Sequence, residues 1–92
     1  MSTESSLETL PEGEEFAICV YMMQSYAKLS FMEAYVYLWT EQFRRPAHVF
    51  GKSRQAIYSL KKKAERKIEE CDVPILDMIR PYVESAPFLW VD

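Results

Sequence analysis

Nine basic side chains fall between Arg44 and Lys67, and the only acid among them is Glu65, a local charge of +8. Arginine and lysine at this density do one thing well, which is to hold phosphate. The flanks carry the opposite sign: residues 1–43 hold seven Glu against Lys28, and residues 68–92 hold six acids against Arg80. The whole chain therefore sums to −3, with a pI near 5.2. Spread evenly, that acidity would argue against a polyanionic partner, but its segregation reverses the argument. A solvated lysine-rich helix face is the competing reading of the same block.

Other chemistry is poorly supplied. His48 is the only histidine, Cys19 and Cys71 are the only cysteines, and two glycines cannot build a phosphate-cradling loop. No nucleophile–base pair is apparent, so the expectation is no enzyme, no cofactor and no metal. His48 reads first as an exposed or hydrogen-bonded histidine and second as a phosphate contact. The cysteines read as small buried residues in a reducing, cytoplasmic protein. No apolar run approaches the roughly 18 residues needed to span a bilayer. Met1 to Gly13 is acidic and rich in Ser and Thr, unlike the basic start of a signal peptide.

Ninety-two residues leave room for one domain. Residues 1–12 read as a flexible acidic tail and 13–92 as a single helical domain. The class is all-α, a small bundle of four to five helices, because no strand alternation competes anywhere. A first helix is expected from about Glu14 to Lys28. Phe16, Val20, Met23 and Ala27 form its inner stripe, widened by Cys19 and Tyr26. Ser30 and Glu33 have capping-box spacing. They open a second helix whose apolar stripe (Phe31, Ala34, Tyr35, Leu38, Trp39) reads as core. Pro46 suits the first position of a short helix ending at Phe50, and Gly51 suits a turn that needs positive φ. Ser53 is a good N-cap for a longer helix to about Glu70, buried through Ile57, Leu60, Ala64, Ile68 and Cys71. Ile75 to Val83 suggests a last helix, which Pro81 should kink or end. The apolar segment Pro87-Phe88-Leu89-Trp90-Val91 must pack on the body or on a partner.

The spacing around Gly51 is that of a helix-turn-helix, over about residues 43–70. Ala47 is small where a second helix crosses, and Gly51 supplies the turn. Ile57 and Leu60 follow at the two inward positions, and Phe50 plugs between the helices. Ile57 and Tyr58 compete to face inward.

Residues 51–68, Gly-Lys-Ser-Arg-Gln-Ala-Ile-Tyr-Ser-Leu-Lys-Lys-Lys-Ala-Glu-Arg-Lys-Ile, resemble the promoter-reading helix-turn-helix in the fourth conserved region of bacterial sigma factors. In that family a Gly-x-Ser-Arg turn leads into a recognition helix ending in Ala-x-Arg-Lys-aliphatic. Leu29-Ser30 and the helix after it resemble the family's preceding helix, so the resemblance covers about residues 29–68. Pro46 and Lys52 depart from it, each standing where an aliphatic residue is usual. The other sigma regions have no counterpart in these residues. A small transcriptional regulator, or a plasmid, phage or mobile-element DNA-binding protein, is implied rather than an initiation factor.

The resemblance implies that the helix after Ser53 lies in the major groove of double-stranded DNA. Arg54 and Gln55 would then read bases, with Tyr58, Ser59 and Lys62 along the same side. Arg44, Arg45, Lys52, Ser53, Lys61 and Lys63 would hold phosphates. Arg54 and Gln55 also suit an ordinary exposed first turn. A two-fold dimer through the last helix and tail would double the DNA contact, and a protein of the transcription machinery is a further expected partner. The alternative function is a protein-interaction module that keeps this fold but docks through its aromatic C-terminal segment, Phe88 and Trp90 above all.

Overall fold

Short polar signals set the helix boundaries. The computed structural model describes residues 13–85 and contains four α-helices: α1 (Gly13–Ala27), α2 (Phe31–Tyr37), α3 (Arg54–Glu69) and α4 (Ile75–Glu84). A π-helical turn (Leu38–Gln42) continues α2, and a 3-10 turn (Ala47–Phe50) precedes α3. Among the described residues there is no strand, so the fold is an all-α bundle. The expected tail 1–12 and the apolar segment 87–91 lie outside the described residues.

Ser30 caps α2 as its spacing requires: its hydroxyl accepts from the Glu33 amide (3.2 Å), and the Glu33 carboxylate accepts from the Ser30 amide (2.9 Å). Ahead of it, Lys28 reverses the chain in the left-handed region (φ 63°), a conformation uncommon for a side chain other than glycine. α1 buries Phe16, Cys19, Val20, Met23 and Ala27. Tyr26, expected to widen that stripe, stands half exposed at its edge. α4 runs antiparallel to α1, since the Cys71 thiol meets the Tyr26 carbonyl (3.3 Å) and the Cys19 thiol meets the Ile79 carbonyl (4.0 Å). Pro81 lies inside α4 and does not end it, since the helix continues to Glu84. Pro81 and Asp77 both lie on the exposed side, where water can take the carbonyl that loses its partner.

The π turn is the feature that local pattern did not announce. The Phe43 amide reaches back five residues to the Leu38 carbonyl (2.8 Å), and the Thr40 hydroxyl donates to the Val36 carbonyl (2.8 Å). A wider turn brings residues five apart into line, and Leu38 and Phe43 are both buried. Phe16 sits edge-on to Tyr35, Trp39 and Phe43 at 4.9, 5.9 and 5.2 Å, which ties α1 to the π turn. Such edge contacts add about 0.5–1.5 kcal/mol each beyond burial.

α2 packs against α3, and one charged pair lies in that contact. Glu33 is buried, and its carboxylate meets the Lys67 ammonium at 2.8 Å. Burial by itself raises the Glu33 carboxyl, but the Lys67 ammonium and the Ser30 amide and hydroxyl outweigh it and hold it below the ordinary carboxylate range. A group depressed in this way contributes stability above its unfolded pKa and loses it as pH falls through the folded value. The stability difference between the wild type and Glu33→Gln, followed by urea unfolding, is therefore expected to be widest near neutrality. It should shrink below about pH 4.3. A difference independent of pH would remove the ion pair from this account.

Candidate nucleic-acid interface

The register of α3 decides what the basic block presents. Ser53 caps the helix through its hydroxyl, which accepts from the Ala56 amide at 3.1 Å. Gly51 supplies the turn at φ +64°, and no atom lies within 4 Å of where its Cβ would be. The residue is thus required by backbone conformation and not by a close crossing. Ile57 and Ala64 are buried, with Leu60 and Ile68 half-buried beside them. The opposite side carries Arg54, Gln55, Tyr58, Ser59, Lys62 and Lys63, all exposed. The competition between Ile57 and Tyr58 is resolved: Ile57 is 7% exposed and Tyr58 61%. The Lys62 ammonium stands 5.8 Å from the Tyr58 ring centre, so the two present a joint aromatic and cationic surface.

The five residues expected to read bases therefore share one face, and the six expected at phosphates do not. Arg44, Lys52, Ser53 and Lys63 are exposed. Arg44 adopts the left-handed region (φ 57°) where the chain leaves the π turn, and the Arg45 amide then bonds the Trp39 carbonyl at 2.8 Å. Lys61 lies at the edge of the buried side and pairs with Glu41 at 2.8 Å. The Arg45 guanidinium stacks at 5.8 Å over Trp39, whose indole donates to the Pro46 carbonyl at 2.8 Å. Lys67 is committed to Glu33 and to the Lys28 carbonyl. The motif does not single out Arg66. It is exposed one turn beyond Lys62, and the four-residue spacing alone would have placed it there.

The first motif helix departs from the expected form. Ala47 to Phe50 is one 3-10 turn, and Pro46 precedes it in an extended conformation instead of opening it. Gly51 thus joins a single turn to α3, and not two full helices. Ala47 is only half-buried. Phe50 packs edge-on to Tyr35 (5.5 Å) and Trp39 (6.2 Å), so the contact anchoring this turn is aromatic. His48 is exposed, and its carbonyl accepts the Gly51 amide.

A second surface lies on the far side of α2. Phe31, Tyr35, Trp39, Val49 and Phe50 line an open apolar groove of about 490 Å³ with Arg45 on its wall. Sequence pattern assigned Phe31 and Tyr35 to the core, yet Phe31 is 52% exposed and Tyr35 is half-buried. The helical stripe was read correctly, but nothing among the described residues covers its outer edge.

The register of α3 has a direct consequence for stability. Tyr58→Ala is expected to change it by no more than about 0.5 kcal/mol, whereas Ile57→Ala should cost about 2–5 kcal/mol. Equal losses in urea unfolding would mean that α3 is rotated relative to this description. Among the described residues no helix is long and apolar enough to cross a membrane, and no cluster of three metal-ligating side chains occurs. No protein-family description, curated protein or solved structure matches the chain.

Proposed function

We propose that this protein binds double-stranded DNA sequence-specifically, as a small transcriptional regulator or mobile-element protein, with α3 laid in the major groove. The observation that carries the reading is the single outward face of Arg54, Gln55, Tyr58, Ser59, Lys62 and Lys63, continued by Arg66. Sixteen helical residues extend about 24 Å, and a major groove is wide enough to admit such a helix. Arg54 and Gln55 stand in the first turn, where recognition helices touch base edges. Arginine pairs in bidentate fashion with guanine and glutamine with adenine. Tyr58 and Lys62 follow one and two turns on.

Phosphate contact falls to the exposed cations around this face. Arg44, Lys52 and Lys63 are exposed and carry the charge it requires, and the free amides at the start of α3 add a favourable field. Lys61 acts mainly through its pair with Glu41, so its charge is partly neutralised already. The acidic flanks weaken contact with arbitrary polyanions and leave the basic face as the attractive side.

The test is a variant series against a binding site selected from random duplexes. Arg54→Ala or Gln55→Ala should weaken the selected site by about 1–3 kcal/mol and relax preference at one base pair. Lys63→Ala should weaken selected and random DNA alike and lower the slope of log K against log salt by about one. Lys61→Ala should have a smaller effect than Lys63→Ala. Wild-type affinity in the Arg54 and Lys63 variants together would overturn the reading.

A further inference from the structure

One side chain on the outward face of α3 differs in chemistry from all its neighbours. Arg54, Gln55, Ser59, Lys62, Lys63 and Arg66 are charged or polar, whereas Tyr58 sets an aromatic ring among them, 61% exposed. It is the only large apolar side chain of α3 that reaches solvent to this extent, and the core does not use it, since Ile57 takes the inward position beside it. A single exposed ring means little by itself, but the residues around this one give it a direction. Side chains on a helix lean toward its N-terminus. Lys62 does so, its ammonium standing 5.8 Å from the centre of the Tyr58 ring one turn earlier. The same lean carries the Tyr58 ring over the first turn of α3, toward Arg54 and Gln55, its neighbours four and three residues back.

What such a ring meets depends on the groove, so this inference rests on the reading of α3 as the major-groove helix. There the base edges present amino groups, ring nitrogens and carbonyl oxygens, and the one apolar group is the C5-methyl of thymine. We propose that Tyr58 is a specificity-determining residue that reads a pyrimidine C5-methyl, the methyl of a thymine in the pair contacted by Gln55 or in the pair next to it. Glutamine selects adenine, which brings a thymine methyl into the same pair. Three helical residues advance about 4.5 Å, little more than one base-pair step of about 3.4 Å, so the ring of Tyr58 and the amide of Gln55 work on the same or adjacent pairs. Lys62 adds to the contact, because a cation beside a ring is held more strongly when the ring leaves water. The site preferred by α3 is thus a guanine for Arg54 beside an adenine–thymine pair, with the methyl read as well as the adenine.

The experiment uses the full chain and the duplex selected from random sequence, with each thymine replaced in turn by deoxyuridine, which lacks only the methyl. Replacement at one position should weaken binding about fourfold, the worth of one buried carbon. Tyr58→Ala should bind the thymine and deoxyuridine duplexes alike. Tyr58→Phe should keep the difference, since the ring and not the hydroxyl makes the contact. Lys63→Ala should weaken both duplexes and leave their ratio unchanged. Cytosine and 5-methylcytosine at the same position separate the two sources of the methyl: thymine should remain the tightest, because it alone pairs with the adenine that Gln55 takes. No methyl-sensitive thymine, or a sensitivity that survives Tyr58→Ala, would overturn the proposal, and a 5-methylcytosine duplex that binds more tightly than thymine would overturn the assignment to thymine. Each of these results leaves salt-dependent binding to random duplex in place, and with it the reading of α3 as a DNA-binding helix, whereas loss of that binding removes both.

Discussion

The packing of α3 against α2 is the contact on which the rest depends. It fixes which side of α3 is buried, and with that which of the six basic residues on this helix reach solvent. Ala34 and Ala64 are completely buried, one on each helix, and small side chains there let the helices approach closely. Glu33 sits in the same contact, holding the cap of α2 through Ser30 and the end of α3 through Lys67. One carboxylate thus links a local signal to a tertiary one. Ile57 and Ala64 turn inward, and Arg54, Gln55, Tyr58, Ser59 and Lys62 are turned out by the same rotation.

Aromatic packing does a different job. Phe16, Tyr35, Trp39, Phe43 and Phe50 form a connected set of edge contacts that joins α1, the π turn and the 3-10 turn. The set is anchored at its inner end, where Phe16 and Phe43 are buried, and open at its outer end, where Phe31 and Val49 are exposed. The molecule therefore has two distinct surfaces, a basic helical face and an apolar groove. They lie on different elements.

What could be read in the sequence was local. The Ser30–Glu33 box, the Gly51 turn, the Ser53 cap and the inward side of α3 each follow from a few neighbouring residues, and each is present. What could not be read depends on contacts across the chain. Lys61 and Lys67 look like free cations in a basic run, and only the fold brings Glu41 and Glu33 against them. The π turn places Leu38 and Phe43 in line, a spacing that a 3.6-residue period does not suggest. Phe31 continues the apolar stripe of α2 faultlessly, but periodicity says only which face a residue occupies, not whether anything covers it. The reduction of the first motif helix to one turn is of the same kind: Pro46 was compatible with opening a helix, and the Trp39 indole takes its carbonyl instead.

The central proposal is that α3 and the exposed cations around its outward face bind double-stranded DNA. Fluorescence anisotropy of the purified protein with random-sequence duplex DNA, titrated at low and at physiological salt, tests it most directly. Releasing counterions from several phosphates lowers affinity by orders of magnitude over that range, with a log–log slope of about −0.9 per neutralised phosphate. The account predicts such a slope, equivalent to at least about three to four phosphates. No binding at low salt would contradict it and leave the basic face of α3 a solvated surface.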